Sequence, residues 1–180
     1  DTTSISLLFD KLEGMISDVL MAPLTALERS SAYALSGAST GFMVGAVILA
    51  AQTVVVPWRV ADPLAVLFFA AAGGMLHALL GILVGLWARK WDHYAAATTF
   101  FVVPFGFLSG TFYSIEALPP LGRALVQMNP VFYVIDGFRY GMTGHAEGSL
   151  GLGVALLLAI DALLFLAAYR LIRRGYRVKA

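Results

Sequence analysis

An uncharged stretch from Ser30 to Trp58 sets the strongest limit on the fold of this chain. A helix needs about 20 apolar residues to cross a bilayer, so this stretch predicts one tilted membrane span. Hydrophobic residues make up 59% of the 180-residue sequence and charged residues 13%. Soluble domains have about 45–50% apolar and about 25% charged residues. We therefore predict an all-α, polytopic membrane protein.

The remaining hydropathy pattern divides the chain around three more spans. We predict spans at 30–58, 64–87, 94–113 and 150–169, a cytoplasmic coupling segment at 1–29, an outer re-entrant region at 114–149 and a basic tail at 170–180. The two ends and the Arg89–Lys90 turn carry nine Lys and Arg residues, and the opposite side carries three. Because positive charge concentrates on the cytoplasmic side, we predict that both termini face the cytoplasm.

The first segment predicts a helix, a break and a second helix. Apolar residues follow one helical face from residue 5 to residue 20, at Ile5, Leu8, Leu12, Met15, Ile16 and Val19. Pro23 ends this helix, and Thr25 with Glu28 forms a capping box that starts the next one. The first helix is too polar to span, which leaves two uses: lying on the lipid surface, or docking onto a partner protein.

The region from Pro104 to Gly141 is too apolar for a solvated loop and too broken by proline and glycine for a span. It predicts two short helices, the first opening at Pro119 or Pro120. The second has Asn129 as its N-cap and Pro130 at its first position. Non-helical backbone at membrane depth survives only where protein buries it or water lines it, so we predict a plug or a gate.

Several polar or aromatic residues within the spans are candidates for a translocation path. Asp161 lies near the middle of the last span, where a carboxylate must face protein or water, and His77 or Arg139 could pair with it. His77 is predicted to face small residues, either as a packing histidine or as part of a proton-linked path. Phe112 and Tyr113 complete this set of candidates.

Glycines at 37, 41 and 45 predict a face for close helix packing. Residues 37–41 also match the G-x-S-x-G pattern formally, but that motif needs a strand-to-helix turn, so we reject it. The sequence has no P-loop, no H-E-x-x-H motif and no cysteine. We therefore predict a transport protein, with two alternatives: a proton-linked carrier or channel using His77 and Asp161, and an intramembrane enzyme using His77, Asp161 or Ser39.

Two segments and their order resemble the permease subunit of ABC-2 type exporters. They are LEGMISDVLMAPLTALE near the start and FFVVPFGFLSGTFYSIEALPPLGRALVQMNPVFYVIDGFRYG later in the chain. The most specific parts are Leu118-Pro119, Asn129-Pro130 with Tyr133, and the run 137–141. The resemblance covers nearly the whole chain and is strongest to bacterial inner-membrane permeases that work with a separately encoded ATPase.

The resemblance implies a permease dimer with six spans per subunit, two of which would precede this sequence. Two ATPase subunits would use ATP and magnesium, this chain would bind no cofactor, and its other contact would be lipid rather than nucleic acid. The implied cargo is a polysaccharide, a lipid or a drug. The implied ATPase-coupling residues are Glu13, Leu20, Pro23, Thr25 and Glu28. The implied residues of the outer gate are Pro119, Asn129, Pro130, Tyr133, Asp136 and Arg139.

Overall fold

Helices and turns make up the described part of the chain, which contains no strand. The computed structural model describes residues 2–13, 21, 23–55 and 60–176. The helices are α1 (Thr2–Leu12), α2 (Ala26–Val55), α3 (Pro63–Trp87), α4 (Trp91–Ala97), α5 (Val103–Phe107), α6 (Pro120–Gln127), α7 (Pro130–Thr143) and α8 (Leu150–Arg173). A π-helical turn, Thr98–Val102, joins α4 to α5, and a 3-10 turn, Ile115–Ala117, precedes α6. The all-α prediction is confirmed.

Three helices, α2, α3 and α8, are long and apolar enough to cross a membrane. They correspond to the first, second and fourth predicted spans. At 1.5 Å per residue, each exceeds the roughly 30 Å of a hydrocarbon core. Three of the four predicted spans therefore have the length and composition that a crossing requires.

The third predicted span is a shorter helical run than the sequence indicates. It ends at Phe107, before the predicted boundary at Phe112–Tyr113. Pro104 has no N–H to donate to a carbonyl of the preceding turn. This missing hydrogen bond explains the adjacent π turn, in which the Val103 N–H donates to the Thr98 carbonyl. Beyond Phe107 the chain turns through Gly110, whose φ of +74° is the left-handed conformation that glycine adopts without strain.

Helix α3 is the centre of the fold, because α1, α2, α7 and α8 all pack against it. Its N-terminus is capped by Asp62, whose Oδ1 accepts the N–H groups of Leu64 at 3.0 Å and Ala65 at 3.1 Å. Its buried residues enter both hydrophobic clusters of the fold. One cluster comprises Leu7, Ala34, Leu79, Ile82, Leu86, Ala168 and Ile172, and the other comprises Phe69, Ala72, Leu76, Ile115, Val126, Phe132, Tyr133 and Leu157.

The buried face of α1 differs from the predicted apolar face. Thr3, Ser4, Leu7 and Leu8 are buried, whereas Ile5 is 40% and Leu12 is 42% exposed. The lipid or partner contact of that apolar face stays a prediction, but Leu8 is buried inside the fold while Ile5 and Leu12 lie outside it. The reason is the small-residue surface of α3: an added Cβ at Gly81 would lie 3.1 Å from the Ser4 hydroxyl oxygen, and one at Gly85 would lie 3.0 Å from Cβ of Leu7. Met15, Ile16 and Val19 lie outside the described residues.

Candidate functional site

The break before α2 is built by a reciprocal cap between Thr25 and Glu28. Oε2 of Glu28 accepts the Thr25 backbone N–H at 2.7 Å and the Thr25 hydroxyl at 2.8 Å. In return, Oγ1 of Thr25 accepts the Glu28 N–H at 3.2 Å. The predicted capping box is confirmed, and Pro23 lies in the non-helical residues just before it. We call residues 23–28 the elbow.

Two other residues predicted to couple to an ATPase lie upstream of the elbow. Glu13 is exposed and follows the end of α1, with its N–H donating to the Phe9 carbonyl at 2.9 Å. Leu20 lies outside the described residues.

Helices α6 and α7 form a hairpin whose helix starts agree with the sequence. Pro120 is the first residue of α6, and Pro119 stands in the N-cap position. Asn129 caps α7, with its Oδ1 accepting the Val131 N–H at 3.0 Å, and Pro130 opens the helix. Both predicted helix starts are confirmed.

Asn129 also makes contacts that the sequence did not predict. Its Nδ2 donates to the carbonyl of Phe105 at 2.7 Å and to that of Leu108 at 3.3 Å. The residue is only 4% exposed. The end of a helix leaves carbonyl groups without helical partners, and here the Asn129 amide satisfies two of them. This contact helps to explain why the helical run stops at Phe107, and it joins α5 to the start of α7.

A buried charged network connects α7 to the turn before α8. Asp136, which is 2% exposed, accepts the Glu147 N–H on Oδ1 at 2.9 Å and the Gly148 N–H on Oδ2 at 2.9 Å. Arg139 approaches Oδ1 of Asp136 to 3.8 Å and donates to Oε1 of Glu147 at 3.0 Å. The predicted Asp136–Arg139 pair is present, but the closer partner of Arg139 is Glu147. We call Asp136, Arg139 and Glu147 the charged network.

The charged network also reaches back to the start of the hairpin. Nη2 of Arg139 donates to the Gly110 carbonyl at 2.7 Å, and Oε2 of Glu147 accepts the Ile115 N–H at 2.7 Å. Three chain segments are therefore tied by charge-assisted hydrogen bonds, which are stronger than neutral ones. Sequence reasoning missed Glu147. The available signal was a single acid in the short turn between two apolar helices.

Tyr133 lies under this network and packs against α8. It is 6% exposed, and an added Cβ at Gly153 would lie 3.1 Å from its ring. Its ring meets that of Phe132 edge to face at 5.1 Å between centroids. Burial raises the pKa of the Tyr133 hydroxyl, and the nearby Asp136 carboxylate raises it further. The burial of Tyr133 and its close contact with Gly153 indicate a packing role.

An open apolar groove of about 600 Å³ lies between α2, α3 and α7. His77 lines it, together with Gly37, Gly41, Gly45, Phe69, Gly73, Val134 and Phe138. The ring is exposed, and its Nδ1 lies 2.8 Å from the Gly73 carbonyl, which requires Nδ1 to donate. Of the predicted glycine packing face, Gly37 meets Ala78 closely, while Gly41 and Gly45 open onto the groove.

The four candidates for a translocation path do not lie together in the structure; they are His77, Phe112, Tyr113 and Asp161. No hydrogen bond or ion pair joins His77 to Asp161 within the described ranges, and Oδ1 of Asp161 is buried there without a partner. Asp161, Phe112 and Tyr113 are not among the groove residues. Phe112 is 73% exposed and stacks on Phe107, with centroids 5.5 Å apart, while Tyr113 packs against the second hydrophobic cluster.

Two observations on the described residues bear on the enzyme alternative. Ser39 lies inside α2, and its hydroxyl donates to the Leu35 carbonyl at 2.6 Å, within its own helix. No group of three or more acidic, histidine or cysteine side chains in the described ranges is placed to hold a metal ion.

Comparison with known proteins shows the family of this chain. The family model of the ABC-2 type transporter matches residues 2–143, which is most of the chain. The chain belongs to the ABC-2 type transporter family. The resemblance of the sequence to ABC-2 permeases is thereby confirmed.

Individual relatives extend the ABC-2 match. The inner membrane transport permease YadH of Escherichia coli K12 and that of Shigella flexneri are each 31% identical over 165 residues, covering 92% of this chain and 64% of YadH. Nodulation protein J of Rhizobium leguminosarum bv. viciae is 28% identical over 104 residues, covering 58% of this chain and 40% of that protein. This chain therefore spans less than two thirds of the length of either relative. No solved structure matches it significantly.

The ABC-2 family match includes the elbow, the groove and both helices of the hairpin. It ends at residue 143, so Glu147 and Asp161 lie beyond it. The alignment with YadH covers more of the chain than the family match does.

Proposed function

We propose that this chain is part of the permease subunit of an ABC-2 type exporter, where it forms the translocation path and is driven by a separate ATPase subunit. The observation that carries the proposal is the family match over residues 2–143. It is supported by the relative named as an inner membrane transport permease and by three helices of spanning length. In this proposal the partner ATPase binds ATP and magnesium and hydrolyses the ATP, and this chain, which contains no P-loop, serves as a transport subunit.

The proposed topology has four crossings in a bacterial inner membrane. Helices α2, α3 and α8 cross fully, and the run from α4 to α5 makes the third crossing. At 1.5 Å per residue that run is about 25 Å long, slightly less than a typical hydrocarbon core. The distribution of Lys and Arg supports cytoplasmic termini, with the hairpin at the outer face and the elbow at the inner face.

The proposed coupling surface comprises Glu13, Leu20 and the elbow residues Pro23, Thr25 and Glu28. The capping box fixes the first turn of α2, so the elbow leads rigidly into a long helix. A docked ATPase that moves the elbow would therefore tilt α2. The proposal thus favours partner docking over the lipid-surface alternative.

The proposed outer gate is the hairpin held by the charged network. Its members are Pro119, Asn129, Pro130, Tyr133, Asp136 and Arg139, to which we add Glu147. Loss of Arg139 would release the Gly110 carbonyl from α7 and separate Glu147, which binds the Ile115 N–H, from α7. Ion pairs of this kind would hold the hairpin closed between cycles, and water would solvate their charges when the hairpin opens.

We also propose that two permease copies assemble in the bilayer. Helix α2 is mostly exposed, and the groove at Gly41 and Gly45 leaves apolar surface next to it. Lipid, the rest of the permease and a second copy would share this surface. The proposal includes no nucleic-acid partner.

Co-purification tests the proposal. The intact permease, tagged and extracted in a mild detergent, would be assayed for retention of the ATPase encoded beside it. We expect retention by the wild type and loss in a Leu20→Ala, Pro23→Ala double variant. A Pro120→Ala, Leu121→Ala variant is the matched control, since it changes the same residue types on the exposed surface of α6. Equal retention by both variants would refute the elbow as the docking surface.

The proton-linked carrier is the second candidate, and the described geometry does not favour it. His77 donates within its own helix, and Asp161 does not share its groove. Transport that follows the proton gradient and survives ATP depletion would refute the proposed ATP-driven exporter and favour the proton-linked carrier.

A further inference from the structure

Lys11 binds the C-terminal end of the central helix. Its ammonium nitrogen lies 3.0 Å from the carbonyl oxygen of Gly85, 3.1 Å from that of Leu86 and 2.6 Å from that of Ala88. These carbonyls belong to the end of α3, where helical backbone acceptors run out of helical donors. An ammonium group has three N–H donors and no acceptor, so it can donate to several carbonyls at once.

This contact is also electrostatically favourable. The end of α3 carries the negative pole of its helix dipole, and a cation next to it is stabilised. Helix α3 has no basic residue in its last turn, so Lys11 supplies that cation from another helix. The Lys11 side chain, which belongs to α1, therefore caps the C-terminal end of α3.

A second contact holds α1 against α3. The Ser4 hydroxyl donates to the Gly81 carbonyl at 2.9 Å. Gly81 and Gly85 are both buried beneath α1. Because glycine has no side chain, the two helix backbones approach closely at these levels. A displacement of α1 along its axis would have to break these bonds or carry α3 with it.

Helix α3 in turn is joined to the hairpin. The Asp62 N–H donates to the Gly141 carbonyl at 2.9 Å, and a Cβ added at Gly137 would overlap the Phe69 ring. A continuous series of contacts thus runs from the end of α1 through α3 to α7, which carries Asp136 and Arg139. Lys11 makes the first of these contacts, and it lies two residues before Glu13, where the proposed coupling surface begins.

We infer that Lys11 is a positioning residue that transmits displacement of the proposed coupling surface to α3 by holding the three carbonyls at the C-terminal end of α3. The inference rests on the proposed exporter function, but it assigns transmission to α1 and α3 in addition to the elbow and α2. Lys11 does not touch cargo or nucleotide in this role. It acts by keeping α1 and α3 together while the ATPase moves.

Pulsed EPR on the intact permease with its ATPase tests the inference. This chain contains no cysteine, so once any cysteine elsewhere in the permease is replaced, spin labels can be placed at Leu64 on α3 and Leu163 on α8, which are 78% and 66% exposed. Neither label lies on α2, so a tilt of α2 driven by the elbow does not enter the measured distance. The distance between the labels is compared without nucleotide and after trapping with ADP and vanadate. Lys11→Met removes all three donors at similar length, Lys11→Arg keeps a cation with several donors, and Lys90→Met is the control at an exposed lysine.

We expect the wild type, Lys11→Arg and Lys90→Met to show a nucleotide-dependent change in distance. In Lys11→Met that change should be lost, while ATPase retention and ATP hydrolysis persist. A merely structural role would lower the melting temperature without abolishing the change in the folded complex. Should Lys11→Met fail to assemble, Lys11→Gln takes its place; its amide keeps two N–H donors but no charge, so we expect a change smaller than that of the wild type.

Two outcomes would overturn the inference, and they are distinguishable. A change of wild-type size in Lys11→Met or Lys11→Gln, with the ATPase bound and active, refutes transmission through Lys11 and leaves the exporter function intact. Failure of the wild-type permease to retain any ATPase removes the proposed function, and the inference falls with it.

Discussion

Arg139 is the cation of the charged network, and its replacement by alanine is the sharpest test of that network. Arg139→Ala removes the bonds to Oε1 of Glu147 and to the Gly110 carbonyl. It leaves the Glu147 carboxylate, whose side chain is 9% exposed, without its cation, although the Ile115 N–H still binds it. Breaking a buried charge pair from one side is costly because the remaining charge loses its compensation.

The expected loss of stability follows from these contacts. A hydrogen bond to a charged group contributes about 1.5–3 kcal/mol, so two of them give roughly 3–6 kcal/mol in a fully buried site. The Arg139 side chain is 28% exposed, so water replaces part of what is lost. We therefore expect a loss of about 2–4 kcal/mol. At about 2–4 °C per kcal/mol for a protein of this size, the apparent melting temperature should fall by roughly 4–16 °C.

Thermal unfolding of the purified intact permease in detergent measures this loss. Arg123→Ala is the matched control, because Arg123 also donates to backbone carbonyls in this region but is exposed. We expect the control to lose less than about 1 kcal/mol. Arg139→Lys should be intermediate, since ammonium cannot reproduce the planar fork of guanidinium. If Arg139→Ala melts at the same temperature as Arg123→Ala, the network does not hold the hairpin.

Two further substitutions test the packing of α7. Gly137→Ala should lower the free energy of unfolding by about 1–3 kcal/mol, because the new Cβ overlaps the buried Phe69 ring. Gly45→Ala, where there is open space, should be neutral or slightly stabilising. Equal melting temperatures of the two variants would contradict the close contact. Asn129→Ala should cost at least the roughly 0.5–2 kcal/mol of a lost N-cap, because the carbonyls of Phe105 and Leu108 also lose a donor. Hydrogen exchange should then quicken at the start of α7, and unchanged exchange would count against the cap.

The sequence alone determined the helical class, the long spans and the local helix starts. Hydropathy predicts α2, α3 and α8 because a bilayer core requires a long run of apolar residues. The caps at Thr25 and Asn129 were readable because a cap involves residues no more than a few positions apart. Each of these features depends on chain-local chemistry.

Only the tertiary structure decided which groups meet across the fold. The buried face of α1 follows the glycines of α3 and not its own apolar period, and Lys11 meets carbonyls that lie more than 70 positions away in the chain. Glu147 completes the charged network from beyond the hairpin, and Asn129 helps to end a helix that hydropathy would extend. These contacts depend on which helix surfaces lie side by side, and a local pattern of residues does not contain that information.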